Sequence, residues 1–167
     1  GLYSGELQLE VFRRLNFKGK LVTTNGVGLI KRNSRGLSSG IIKNQEFKYL
    51  YVGRLVQVKN LDFLIAEFNK SGRSLSIVGS GELSERLKSL AKSNVTFFDF
   101  VPNAKLSDLY SNHDILVLPS ISEVWGLVVE EAIYNNLPVI VSDHVGCFKD
   151  LVERPKTGEV FKFNDSL

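Results

Sequence analysis

The stretch Ile115-Leu116-Val117-Leu118-Pro119-Ser120-Ile121-Ser122-Glu123-Val124-Trp125-Gly126-Leu127-Val128-Val129-Glu130-Glu131-Ala132 sets an apolar β-rich run, a loop and a helical run in direct succession. A near-continuous apolar strand belongs in a sheet covered on both faces, and such sheets are parallel with helical crossovers. The same rhythm extends to both sides from Lys48 onward, with strands predicted at 48–52, 75–78, 95–98, 115–118, 139–142 and 159–163. Between the first two, Leu61, Leu64, Ile65 and Phe68 recur at helical spacing, and Leu83, Leu87, Leu90 and Ala91 do so before the third. Leu106, Leu109 and Tyr110 mark a short helix, and Gly126 to Tyr134 carries the one after the fourth strand. The expected fold class is α/β, a doubly wound, Rossmann-like parallel sheet of about six strands.

Residues 1–47 break this rhythm. Leu7, Val11, Phe12 and Leu15 predict one amphipathic helix and Leu21 to Thr24 a short strand, after which Gly26, Gly28, Asn33, Ser34, Gly36, Ser38, Ser39 and Gly40 read as a flexible connector. The expected organisation is a remnant of a preceding domain over 1–24, a linker over 25–47 and the sheet domain over 48–167. The sheet domain is expected to be truncated, because Asp165 or Ser166 would cap a helix that has no room to follow.

Composition narrows the function classes. With 43% hydrophobic and 23% charged residues over 167 positions, the chain is long enough for one full core. No apolar run reaches the roughly 18 to 20 residues that span a bilayer, and a signal-peptide pattern is missing, so a cytoplasmic setting is expected. Nine Lys and Arg residues fall between Lys18 and Lys59, where Glu46 is the sole acid, which makes that segment attractive to phosphate. They lack interleaved stacking aromatics and a nucleic-acid module, so no nucleic-acid partner is expected. The single Cys147 completes neither a disulfide nor a zinc site and reads as a buried small hydrophobe. His113 and His144 are not spaced to cooperate, and there is no Asp-x-Asp; no metal and no cofactor are expected.

In an open α/β sheet ligands collect beyond the carboxyl ends of the strands, where the turn from Leu118 to Gly126 lies. Gly126 lets a ligand approach the backbone, and the N–H groups of Gly126 to Val129 sit at the positive end of the helix, suited to a diphosphate. Side chains lean toward a helix N-terminus, so Glu131 reaches back to the same mouth, where its carboxylate could accept from a pair of ribose hydroxyls. Glu123, outside the helix, could accept from sugar hydroxyls and is the catalytic candidate. At the first strand-to-helix turn, Gly53-Arg54-Leu55-Val56-Gln57-Val58-Lys59 supplies a planar guanidinium and an ammonium for phosphate oxygens. Taken singly, these charges also suit solvated surface or helix-dipole roles, and Glu130 is assigned the latter.

Glu123 and Glu131, with seven residues between them that include Trp-Gly-Leu-Val-Val, and followed by Ala132, resemble the E-x7-E motif of family-4 glycosyltransferases, retaining enzymes of the two-domain GT-B type. The Gly53 to Lys59 stretch resembles that family's Gly-Arg-Leu-x-x-x-Lys, and Val78-Gly79-Ser80-Gly81 its Val-Gly-x-Gly. Phe100-Val101-Pro102 resembles the segment that lies against the base, and Asn25-Gly26-Val27 the entry to the second domain. Asn136-Leu137-Pro138-Val139-Ile140 matches Gly-x-Pro-Val-Ile except at Asn136, where Asn also tolerates the left-handed conformation. The resemblance covers about residues 25–163. It implies that Arg54, Lys59, Gly126, Leu127, Val128 and Glu131 bind the donor and that Gly79, Gly81 and Val101 flank the base. It further implies transfer of a hexosyl unit from a nucleotide sugar to a glycan or lipid-linked acceptor, the acceptor being held by a missing N-terminal domain. The intact enzyme could work at a membrane surface, and this chain alone is expected to be inactive in transfer. The competing reading is a non-catalytic module that binds a nucleotide or nucleotide sugar. A receiver or flavodoxin-like domain is disfavoured because Gly53-Arg54, not an acidic cluster, follows the first strand.

Overall fold

The computed structural model describes residues 1–24, 26 and 46–163. Most of the 25–47 linker, and the Asp165 or Ser166 cap, lie outside the described residues. Before the linker stand β1 (Leu2–Tyr3), α1 (Glu6–Arg14) and β2 (Val22–Thr23); β1 and β2 pair in parallel. After it come β3 (Lys48–Val52), α2 (Leu61–Ser71), β4 (Ser74–Val78), α3 (Ser84–Leu90), β5 (Val95–Phe98), α4 (Asn103–Ser111), β6 (Ile115–Leu118), α5 (Leu127–Tyr134), β7 (Val139–Ser142) and β8 (Gly158–Phe161).

The six later strands form one parallel sheet in the order β5-β4-β3-β6-β7-β8. Chain order therefore reverses direction between β3 and β6, and a crevice opens above their carboxyl ends. Right-handed crossovers carry α2 and α3 to one face and α4 and α5 to the other. Strand residues point alternately to the two faces. Tyr49 packs edge-on against Phe68 of α2, with ring centroids 5.0 Å apart. Leu50, Leu75, Ile77, Leu116, Leu118, Val139 and Val141 are fully buried along the sheet.

The helix faces follow the sequence pattern in α2, with corrections in α3 and α1. Leu61, Leu64, Ile65 and Phe68 are buried under α2, and Gly72 ends that helix in the left-handed conformation. In α3 only Leu87 is buried; Leu90 is the last helical residue and lies 45% exposed, because the chain turns away before its side chain can reach the sheet. The apolar residues of α1 likewise fail to form a core, with Val11 and the C-cap Leu15 exposed and no buried residue in the helix. The segment is instead tied to the sheet domain by charge. The Glu6 carboxylate pairs with Arg154 and Lys149, and the Glu6 N–H donates to Asp150 Oδ2 at 2.9 Å.

Cys147 is fully buried, and burial pushes its thiol up from 9.0 to about 12. At about pH 8 it should therefore react with iodoacetamide only as fast as the fold opens. Labelling should accelerate with urea, and rapid labelling in native buffer would contradict the burial. The unfolded thiol ionises first, so its contribution to stability is complete below about pH 9 and falls as the pH rises toward 12.

Candidate functional site

Three strand-to-helix turns meet at the crevice, laced together by backbone hydrogen bonds. From β3, Gly53 N–H donates to Val78 C=O at 3.0 Å and Leu55 N–H to Ser80 C=O at 2.9 Å. In return, Leu83 N–H donates to Leu55 C=O at 3.1 Å. On the other side, Ile121 N–H donates to Val58 C=O at 2.9 Å, which draws the loop after β6 onto the 3-10 turn Gln57–Lys59. Gly79 has φ +141°, and a Cβ there would lie 2.0 Å from Gly53 O; one at Gly81 would lie 2.3 Å from Leu55 O. Beneath the first turn, the buried Tyr51 hydroxyl donates to Arg54 C=O at 3.0 Å. Burial, the largest cause, and the nearby Glu123 charge raise this phenol far above the ordinary tyrosine range, so it remains a donor.

A cavity of about 280 Å³ sits in this crevice. Its wall includes Arg54, Gly79, Val101, Leu127, Val128 and Glu131, all singled out in the sequence, together with apolar Val52, Val78, Phe100 and Leu106. The mixture of an apolar lining and a few polar groups at a topological switch point is that of a small-ligand site. A larger hollow of about 590 Å³ lies over the α2 face, among Tyr49, Phe68, Val117, Ile140 and Phe161. Those residues come from strand interiors and α2, so the hollow is uncovered sheet, away from the strand-end chemistry.

Gly126 caps α5 with φ +97°, and no side chain caps the helix. That leaves its first N–H groups without a side-chain acceptor at the end of the helix that begins with the cavity-lining Leu127 and Val128. The preceding loop is strapped down: Glu123 N–H donates to His144 C=O at 3.2 Å, Gly146 N–H to Glu123 C=O at 2.8 Å, and Cys147 N–H to Trp125 C=O at 3.0 Å. A Cβ on Gly146 would lie 1.9 Å from Val124 O, so glycine is what allows the strap to lie this close. Trp125 is buried in the core, in keeping with an anchoring role.

Two interactions were not visible in the sequence. Lys59 Nζ donates to Glu123 Oε2, a short ion pair with side chains only 13% and 20% exposed. Neither residue lines the 280 Å³ cavity. Glu131 Oε2 accepts from the Tyr110 hydroxyl at 2.8 Å, although Tyr110 reads in the sequence only as a helix-packing residue. The histidines are held structurally: His113 bonds Leu109 O and Ser76 Oγ at 2.8 and 2.9 Å, and His144 bonds Ile121 O at 2.9 Å. Asn136 has φ +61°, the left-handed conformation expected of it.

A family profile described as "Glycosyl transferases group 1" matches residues 38–167. The chain belongs to this glycosyltransferase family. An uncharacterized glycosyltransferase of Methanocaldococcus jannaschii is 32% identical over 126 residues, covering 70% of this chain and 32% of that protein. The sulfoquinovosyl transferase SQD2 of Arabidopsis thaliana is 31% identical over 118 residues, 69% of this chain and 23% of the relative. This glycosyltransferase chain thus spans about a third or less of the length of both. Among solved structures, the sucrose-phosphate synthase of Thermosynechococcus elongatus superposes with a TM-score of 0.81 at 23% identity, over 99% of this chain and 45% of that one. The pneumococcal O-GlcNAc transferase GtfA, solved with UDP and GlcNAc, gives 0.76 at 24% identity, over 96% and 33%. These likenesses establish the fold, a Rossmann-like half of the GT-B architecture.

Proposed function

We propose that this glycosyltransferase domain binds the nucleoside diphosphate sugar of a retaining enzyme that moves a hexosyl unit to a glycan or lipid-linked acceptor. The observation that carries the reading is the convergence of Arg54, Gly79, Val101, Leu127, Val128 and Glu131 on one cavity at the switch point. In this reading the base lies by Gly79, Gly81 and Val101, and the ribose hydroxyls donate to Glu131. The diphosphate meets Arg54, Lys59 and the α5 N-terminus, and the sugar extends toward Glu123. No metal ion is needed for the arrangement, because the leaving diphosphate is neutralised by protein cations and oriented N–H groups. Residues 1–24 are assigned to an acceptor-binding half, whose remaining parts transfer requires; the exposed apolar stripe of α1 supports that assignment. The GtfA complex with UDP and GlcNAc supports the choice of a nucleotide-sugar ligand.

A calorimetric panel of UDP-, GDP- and ADP-sugars tests the reading, and binding of none would end it. Arg54 lies exposed at the cavity wall, so solvent screens it, and Arg54→Ala should weaken the best ligand by about 1 kcal/mol, roughly fivefold in Kd. Folding should not change, since the fixed atom of this turn is the Arg54 carbonyl held by Tyr51.

A further inference from the structure

Glu131 stands on α5 and Tyr110 in the last turn of α4, 21 residues earlier, yet the two side chains meet at 2.8 Å. Tyr110 is 1% exposed, whereas Glu131 reaches the cavity wall. The hydroxyl therefore approaches the carboxylate from the protein side. A second polar tie fixes the register of the two helices: Ser107 Oγ donates to Asn135 Oδ1 at 2.8 Å, and Asn135 Nδ2 donates to Glu131 C=O at 2.7 Å. Burial first, then the charge and hydrogen bond of Glu131, raise the Tyr110 phenol well above the ordinary tyrosine range. It is thus a permanent donor, and the carboxylate can answer only as acceptor.

A glutamate on a helix surface normally samples many rotamers, and a ligand that needs one of them must freeze the rest. Here the freezing is done by the fold. Oε2 is occupied by Tyr110, which leaves Oε1 as the acceptor for a ligand hydroxyl. Building on the donor-binding reading above, we infer that Tyr110 is a positioning residue for ribose recognition. Its buried hydroxyl locks Glu131 so that the free carboxylate oxygen is presented to the vicinal hydroxyls of a ribonucleotide, and the site discriminates against a 2′-deoxynucleotide through this relay.

The test is titration calorimetry of the 167-residue chain with UDP, GDP and ADP and their 2′-deoxy counterparts. For the nucleotide that binds best, Tyr110→Phe should raise Kd for the ribose form about 5- to 10-fold and for the deoxy form less than about twofold, less than the roughly 10- to 150-fold for outright loss of a hydrogen bond to a charged group because the ligand keeps its own bond to Glu131. In a Glu131→Gln background the same substitution should leave the ribose-to-deoxyribose ratio unmoved, because there is no carboxylate left to position. A merely structural role for Tyr110 would weaken both ligands alike. Tyr110→Phe that retains the wild-type ratio overturns the inference while leaving the donor site standing. Wild-type chain that binds both sugars equally removes the ribose role of Glu131, and the inference with it; wild-type chain that binds none of the three removes the site itself. Should Tyr110→Phe not fold, a crystal structure of the unaltered chain with the nucleotide decides. Glu131 bridging Tyr110 and the ribose supports the inference, and a carboxylate swung away from Tyr110 to reach the ribose overturns it.

Discussion

Gly79→Ala is expected to destabilise the chain by more than about 3 kcal/mol, enough to open the crevice or unfold the domain. The new Cβ would lie 2.0 Å from Gly53 O and 3.0 Å from Gly53 C. Both are backbone atoms, so no side chain can rotate to make room. Gly53 is also tethered, its N–H donating to Val78 C=O at 3.0 Å, and Gly79 N–H donates in turn to Phe98 C=O at 3.1 Å. Relief therefore requires the ends of β3, β4 and β5 to separate. Part of any such loss would come from the positive φ alone, about 1 to 2 kcal/mol for a non-glycine residue. Gly72→Ala isolates that part, because Gly72 has φ +74° and nothing within 4 Å of its Cβ position. Urea unfolding of both variants separates the causes. If Gly79→Ala proved no worse than Gly72→Ala, the close approach of the two turns would be disproved, and with it the geometry of the cavity.

Local pattern carried the sheet and missed what joins distant segments. The strands at 48–52, 95–98, 115–118 and 139–142 fall where short β-rich runs predict them, and burial on both faces makes the central β6 run apolar throughout. The last strand is Gly158–Phe161 in place of 159–163, a shift within ordinary boundary error. The two-residue β1 is invisible locally because it exists only through its pairing with β2, some twenty residues on. At the site, the reach of Glu131 toward the crevice follows from helix geometry, and a single sequence carries that information. Its partner Tyr110 does not announce itself: at helical spacing with Leu106 it reads as packing, and only the fold shows where the hydroxyl goes. Gly146 is similar, a loop glycine in the sequence and a requirement of the strap in three dimensions. The pairing of Lys59 with Glu123, 64 residues away, is likewise hidden, since the sequence suggests a different part of the ligand for each.

That pairing leads to substitutions with opposite signs. With the ion pair closed, the Lys59 charge is partly spoken for, and in the proposed binding mode the Glu123 carboxylate would repel the diphosphate that Lys59 attracts. In the proposed binding mode, a donor that draws Lys59 onto its phosphates would leave Glu123 free to accept from the sugar, so both residues would change partner as the ligand enters. Lys59→Ala then removes the phosphate contact and leaves Glu123 as an uncompensated anion. Binding of nucleoside diphosphate and of nucleotide sugar should both weaken by about 1.5 to 3 kcal/mol, roughly 10- to 150-fold in Kd. Glu123→Gln frees the ammonium and removes the repulsion, so the bare nucleoside diphosphate should bind as well as before or better. The nucleotide sugar should lose the extra affinity that its sugar contributes, because an amide replaces a charged acceptor. The decisive quantity is the ratio of the two dissociation constants in each variant, measured by calorimetry alongside thermal unfolding: unchanged by Lys59→Ala, and shifted toward the bare nucleotide by Glu123→Gln. Parallel losses of both ligands in Glu123→Gln would mean that the carboxylate serves only to hold Lys59 in place and has no role toward the sugar.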